Sequence, residues 1–296
     1  MTRRYHVDGE LVDRSAATVS VDDRGFRYGD GAFETCRAYD GTVFLWDRHL
    51  ERLERTCETL GMAAAVPDDL RARIDTTLDA NDLADAYVRV SITRGVQPGK
   101  LTPRETVDPT IVVYVRPLPR GGIDGESVWA APATVETVET RRIPDSALPA
   151  DAKTHNYLNG ILARLELRDR DGSIDESLMC DTDGHVAEGA TSNPFFVADD
   201  VLKTPETGSL LPGITRETVL ELADGIDVPV ETGRYTVEDV RTADEAFLTN
   251  TTWEIRPIER LDEVPLGGGP VTDRLRSAYD EFVERRCYGD ERSQNS

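Results

Sequence analysis

A chain of 296 residues, 39% hydrophobic and 30% charged, is long enough for two domains of ordinary size and too rich in strand-like apolar runs to remain unfolded. Its formal net charge of -22 excludes phosphate-backbone binding and argues against anionic membranes as partners. No stretch approaches the roughly 20 apolar residues needed to span a bilayer, and the opening "MTRRYHVDGE" reads as a hairpin rather than an apolar leader, so the expectation is a cytoplasmic protein.

Along the chain, "RYHVDGELVDR" predicts two short strands around an Asp8-Gly9 turn, and "AFETCRAY" with "TVFLW" predicts a second hairpin around Asp40-Gly41. From Asp47, read as an N-cap, Leu50, Leu53, Cys57 and Leu60 recur at helical spacing until Gly61, and Leu70, Ile74 and Leu78 mark another helix. In "AYVRVSITRG" the residues alternate. Val88, Val90 and Ile92 face a core, while Tyr87, Arg89, Ser91 and Thr93 form a face polar enough to line a cavity. After the strand "TIVVYVR", the segment "PLPRGGIDG" is the expected boundary between domains of residues 1–119 and 120–288.

The second half opens with strands through "ESVWAAPATVETVETRR". Leu158, Leu162 and Leu165 then give a helical stripe, and "ESLMCDTDGHVAEGATSNPFFVADD" is a hairpin around Asp183-Gly184. "TRETVLELADG" is a helix with Thr215 as its expected N-cap, followed by a short helix near "VEDVRT", a strand "EAFLTNTTWEI" and a last helix carrying Leu275, Tyr279 and Phe282. Residues 289–296 are an expected disordered tail. Cys36, Cys57, Cys180 and Cys287 show no CxxC pairing and the four histidines no HExxH spacing, so neither structural zinc nor a disulfide framework is expected.

Lysine is scarce: Lys100, Lys153 and Lys203 are the only three among 34 basic residues. Dense carboxylates with arginine in place of lysine suit a high-salt cytoplasm, where repulsion is screened; an ordinary acidic protein is the plainer alternative. On such a surface Lys153, in "DAKTHNYLNG", stands out. A desolvated lysine has a lowered pKa and forms Schiff bases, although a single lysine is usually no more than a surface cation. Three further features suit the same chemistry. Glu188 in "VAEGATSN" can hold a cofactor ring nitrogen protonated, though a turn glutamate taken alone is merely solvated. In "LLPGITRETV", Gly213, Ile214 and Thr215 open a helix whose free N–H groups receive a phosphate. In "NTTWEI", Thr251 and Thr252 offer donors to a second anion or a simple turn.

In their order these motifs resemble the fold-type IV pyridoxal-phosphate enzymes, the class-IV aminotransferase family, from "RGFRYGDGAFETCRAYDGTVFLWDRHLERL" to "TADEAFLTNTTWEIRPI". The resemblance implies an α/β (α+β) protein with a smaller N-terminal α/β domain and a larger C-terminal domain of mixed, barrel-like sheet with helices. It implies that pyridoxal 5'-phosphate is held as a Schiff base on Lys153, with Glu188 at the pyridine nitrogen and Arg52, Ile214, Thr215 and Thr251 at the phosphate. By the same resemblance Phe33, Tyr87, Arg89, Tyr157 and Thr252 line the substrate pocket, and the protein is a homodimer. Helical spacing places Arg52 on a different face from Leu50, Leu53 and Leu60, free to point toward an anion; Arg89 suits a substrate carboxylate through a bidentate bond.

Within that family, "KTHNYL" is compact, as in the lyases and D-amino-acid enzymes, while "TRGVQPGKL" lacks the Arg-x-His carboxylate trap of the D-amino-acid type. "GAFETCRAYDG", "HLERLE", "KTHNYLN" and "TADEAFLTN" look most like 4-amino-4-deoxychorismate lyase, which releases pyruvate and 4-aminobenzoate for folate-type cofactor synthesis. Tyr87 with Arg89 is shared with branched-chain aminotransferases, the second expectation. A nucleotide-dependent oxidoreductase would need GxGxxG between strand and helix, which "GDG" and "GGG" do not supply. A non-catalytic acidic interaction protein would explain the charge but not the ordered motifs.

Overall fold

The computed structural model describes residues 3–120, 129–170 and 173–289. The expected tail beyond residue 289 and the start of the strand expected from residue 126 lie outside these. Two compact units emerge. The first comprises described residues 3–120, 152–156 and 285–289, and the second the remainder between 129 and 284. A single cut near residue 120 therefore differs from the observed division in two places, and one of them carries Lys153 into the first unit.

The first unit contains β1 (Arg4–Val7), β2 (Glu10–Asp13), α1 (Arg24–Tyr28), β3 (Gly31–Tyr39), β4 (Thr42–Val43), α2 (Trp46–Thr59), α3 (Leu70–Asp79), β5 (Ala86–Thr93) and β6 (Thr110–Pro117). Its six strands form one sheet in the order β2-β1-β6-β5-β3-β4, antiparallel throughout. The alternation of β5 is realised as read: Val88, Val90 and Ile92 are fully buried with Leu53, Cys57, Ile74 and Leu78 from the two helices. Asp47 does not cap α2. It lies in the first turn, and Leu45 occupies the cap position at φ 50°, because the β4 strand ends three residues earlier than the apolar pattern suggested.

The second unit contains β7 (Ala133–Thr137), α4 (Leu158–Glu166), β8 (Glu176–Cys180), β9 (Val186–Gly189), β10 (Asn193–Ala198), β11 (Val201–Pro205), α5 (Ile214–Gly225), β12 (Val230–Gly233), α6 (Val237–Arg241), β13 (Glu245–Asn250), β14 (Glu254–Leu261), β15 (Val264–Pro265) and α7 (Pro270–Val283). The sheet order is β12-β11-β10-β13-β14-β7-β8-β9, with β15 paired to β14. The pairs β11/β12, β14/β7 and β7/β8 are parallel and the others antiparallel, so the sheet is mixed.

Three local readings change here. "EAFLTNTTWEI" is two strands, because Asn250 Oδ1 accepts the backbone N–H groups of Thr252 and Trp253 and turns the chain. Helix α5 begins one residue before Thr215, with Gly213 as its cap. The stripe Leu158, Leu162 and Leu165, joined by Ile161, is 41 to 59% exposed rather than buried in the core. All four cysteines are free and buried.

Leu53, completely buried where α2 meets the sheet, tests this packing. Leu53→Ala should lower the unfolding free energy of the first unit by about 3 kcal/mol, the cost of lost transfer energy plus a cavity, read from the denaturant midpoint.

Candidate active site

Lys153 is placed by the free edge of β3. β4 pairs only with Ala38 and Tyr39, which leaves the edge open from Gly31 to Phe33. Residues 153–155 fill it: Thr154 bridges Ala32 in antiparallel sense, Phe33 N–H donates to the Lys153 carbonyl at 3.0 Å, and His155 N–H donates to the Gly31 carbonyl at 2.8 Å. Gly31 permits this approach, since a Cβ there would lie 2.8 Å from the Ile92 carbonyl oxygen and 3.3 Å from His155 Nδ1. Pairing puts Lys153 and His155 on the face of Phe33. Lys153 Nζ lies 4.4 Å from the Phe33 ring centre, the Arg89 guanidinium lies 3.7 Å from it, and the His155 ring is 5.9 Å away. An amine, a guanidinium and an imidazole thus share one aromatic platform.

The same face continues as Tyr87 and Tyr114, with ring centres 6.0 Å apart, and Arg116 packed 4.3 Å over Tyr87. The cross-strand partners Tyr87↔Arg116 and Arg89↔Tyr114 explain this interleaving of aromatic and cationic groups. Burial raises the Tyr114 hydroxyl above its ordinary pKa, reinforced by Tyr87.

Arg52 is not free to swing toward an anion. It is 4% exposed, and its guanidinium grips the carboxylate of Glu34 through two bonds, Nε to Oε1 at 2.7 Å and Nη2 to Oε2 at 2.8 Å. The expected free face is not what α2 offers: Arg52 is buried alongside Leu53, against Glu34 on the core face of β3, where a charge is stable only when paired. His49 completes the arrangement, with Nδ1 2.7 Å from Glu34 Oε2. Burial alone would raise the Glu34 pKa; Arg52, together with the His49 hydrogen bond, overcomes it and holds the carboxyl far below the usual range. Desolvation lowers the His49 pKa, so a neutral ring donates from Nδ1.

In the second unit Glu188 is a buried residue of β9, not a solvated turn glutamate. Arg142 Nε donates to its Oε1 and the Leu211 N–H donates to Oε2 at 3.0 Å. Asn193 Nδ2 donates to the Leu211 carbonyl at 3.0 Å, fixing the loop that leads into α5. The N-terminus of α5 has no side-chain cap, so the first-turn amides at Ile214 and Thr215, both 5% exposed, carry the donor capacity that helix starts direct at anions. Thr251 lies in the β13–β14 turn beside Thr252, whose amide and hydroxyl both donate to Asn250 Oδ1 at 2.9 and 3.0 Å. Thr252 is therefore committed to the turn. Tyr157 is the half-buried residue that leads into α4.

Sequence reading missed Glu34, His49, Thr56, Arg142 and His155. A carboxylate at an otherwise apolar position of "AFETC" was the available signal for Glu34. Among the described residues, two groupings have metal-ligand spacing, Glu34 with Cys36 and His49, and Asp181 with Asp183 and His185. Arg52 already neutralises the first and Arg234 bridges the two aspartates of the second.

The mixed α/β fold thus brings Lys153 and Arg89 onto the ring of Phe33. The amino-transferase class IV family model matches residues 31–261, and the chain belongs to that family. It is 38% identical over 288 residues to a Methanocaldococcus jannaschii protein named as a branched-chain-amino-acid aminotransferase, covering 94% of this chain and 96% of that one. It is 33% identical to the aminodeoxychorismate lyase of Bacillus subtilis, covering 96% of each. Among solved structures, the T.th. branched-chain amino acid aminotransferase complexed with N-(5'-phosphopyridoxyl)-L-glutamate superposes with a TM-score of 0.86 at 29% identity, covering 97% of this chain and 95% of that one.

His155 supplies a pH test. Its pKa is lowered to about 4, mainly by burial and then by the charge of Arg89, and Nε2 is buried with no hydrogen-bond partner among the described residues. The unfolded ring, near 6.5, accepts a proton that the folded ring resists. Its contribution is thus intact above that value and is lost as pH falls toward 4. From about pH 7 to about pH 4.5 the wild type should lose on the order of 2 kcal/mol of stability relative to His155→Leu. Denaturant unfolding curves that stay parallel across this range would refute it.

Proposed function

We propose that the protein is a pyridoxal-phosphate-dependent aminotransferase of branched-chain or related aliphatic amino acids. The observation that carries the reading is the Phe33 platform, on which Lys153 Nζ and the Arg89 guanidinium lie within 4.4 and 3.7 Å of one ring. An α-amino acid presents an amine and a carboxylate a few ångströms apart: Arg89 would take the carboxylate, and the amine would displace Lys153 Nζ from the cofactor aldehyde. The donor set suits the cofactor. A lysine meets its aldehyde, a buried carboxylate its ring nitrogen, and an uncapped helix start with a buried arginine its phosphate. The phosphopyridoxyl-glutamate complex of the T.th. relative supports this choice.

When bound, pyridoxal phosphate supplies an electron sink for charge developing at the substrate α-carbon. Lys153 anchors it and, once displaced by substrate, takes the α-proton on Nζ and returns it elsewhere. Glu188, with one oxygen bonded by Arg142 and the other by the Leu211 N–H, would hold a proton on the ring nitrogen. Ile214 and Thr215 at the α5 start and Thr251 would bind the phosphate, with Arg52 adding its charge from its fixed place beside Glu34 rather than by swinging toward it. Arg89 receives the substrate carboxylate, while Phe33, Tyr87 and Tyr157 wall the side chain, with Thr252 at its edge. A homodimer belongs to the same reading and is supported by the exposed apolar stripe of α4.

Aminodeoxychorismate lyase is the second reading, favoured by the compact "KTHNYL" and by the Bacillus subtilis relative. The transaminase is placed ahead of it on the Tyr87 and Arg89 pair and on the higher identity to the Methanocaldococcus jannaschii protein.

The visible spectrum of the holoenzyme should bleach to the pyridoxamine form on adding L-leucine or L-glutamate. A band that persists, with 4-aminobenzoate released from aminodeoxychorismate, would give the lyase instead; bleaching only by D-alanine would reverse the stereochemical assignment. Lys153→Ala should lose the Schiff-base band and turnover together, and retained turnover would remove Lys153 from the mechanism.

A further inference from the structure

Thr56 is 1% exposed on the inner face of α2, and it bonds both to its own helix and to the segment that carries Lys153. Its hydroxyl donates to the Arg52 carbonyl one turn earlier, at 2.8 Å. With its only hydrogen committed there, the oxygen presents lone pairs in a fixed direction, and the backbone N–H of Lys153 donates to it at 3.1 Å. The Lys153 carbonyl is meanwhile bound by Phe33 N–H of β3. Both backbone polar groups of Lys153 are therefore held, one by α2 and one by β3. Those two elements are locked together by Glu34 with Arg52 and His49.

We infer that Thr56 is a positioning residue for Lys153, holding the lysine backbone in register with the helix that carries Arg52 so that Nζ meets the cofactor aldehyde without a search. This rests on the reading of Lys153 as the Schiff-base lysine. A helix-interior threonine bonded to the preceding turn is ordinary. Here the same oxygen also accepts from a residue 97 positions away, which a purely local role does not require.

The test separates linkage from binding. Apoenzyme is mixed with pyridoxal phosphate, and the second-order rate of the visible band is measured. Affinity for pyridoxamine phosphate, which has no aldehyde and forms no bond to lysine, is measured alongside. Thr56→Val keeps the shape and removes the hydroxyl. It should slow linkage about ten-fold, the scale of one hydrogen bond, while pyridoxamine phosphate affinity stays within about two-fold. Thr56→Ser should restore the wild-type rate. Linkage at the wild-type rate in Thr56→Val, or a matching fall in pyridoxamine phosphate affinity, would overturn the inference. Should Thr56→Val fail to fold, hydrogen exchange of the Lys153 amide in the wild-type protein decides: protection supports the bond, and exchange at the rate of an exposed amide removes it. Borohydride reduction of the wild-type holoenzyme keeps the two claims apart. If no adduct forms on Lys153, the functional reading itself fails; if it forms and Thr56→Val links normally, only the positioning role fails.

Discussion

The first unit depends on one buried charge. Glu34 projects from the core face of β3 among Ala32, Cys36 and Val90, a position where a lone carboxylate would be untenable. Arg52 and His49 on one face of α2 make it tenable, and in doing so they fix the rotation and height of that helix against the sheet. Removing one partner of such a pair strands the other, at a cost of about 3–5 kcal/mol. The interaction is thus a strong constraint on geometry whatever its net contribution to stability. From it follow the place of Thr56, the clamp on Lys153 and the fixed position of the Arg52 guanidinium.

Charge is distributed in two layers. The chain carries a net -22, yet several of its arginines lie inside, among them Arg24, Arg37, Arg52, Arg94 and Arg216, each at most 5% exposed. Many of the inner guanidiniums hold backbone carbonyls or carboxylates that shape loops: Arg24 binds the Lys100 and Leu101 carbonyls while pairing with Asp30, and Arg216 binds the Pro205 carbonyl. A planar group with five donors suits this work in a way a lysine ammonium does not. That three lysines remain in such a chain, one of them on an aromatic platform beside the Arg89 guanidinium, accords with chemistry that requires a primary amine.

In the second unit the constraint is again a carboxylate with two anchored oxygens. Glu188 receives Arg142 from the irregular segment before Lys153 and the Leu211 N–H from the loop before α5. That loop is held by Asn193 of β10, and the helix start it delivers is uncapped. The proposed anchor for the ring nitrogen and the proposed phosphate site are thus joined through one short loop, so their separation is set by backbone rather than by flexible side chains.

Much of this was legible in the one-dimensional pattern. The alternation of β5, the Asp-Gly hairpins, the order of Lys153, Glu188, the α5 start and the β13 turn, and hence the family, are local in sequence, because side-chain period and turn chemistry are properties of neighbouring residues. Local rules also misplaced several details: the cap of α5, the break after Asn250 and the outward face of α4, whose leucines have a helical period but no core to enter. What only the tertiary structure decided were the partners separated by long stretches of chain: Glu34 for Arg52, Arg142 for Glu188, Thr56 for Lys153, and the open edge of β3 that takes residues 153–155 into the first unit. Spacing reports which face of an element a residue occupies. It does not report what lies opposite, because a buried charge or an unpaired strand edge is satisfied by whatever the fold brings within about 3 Å.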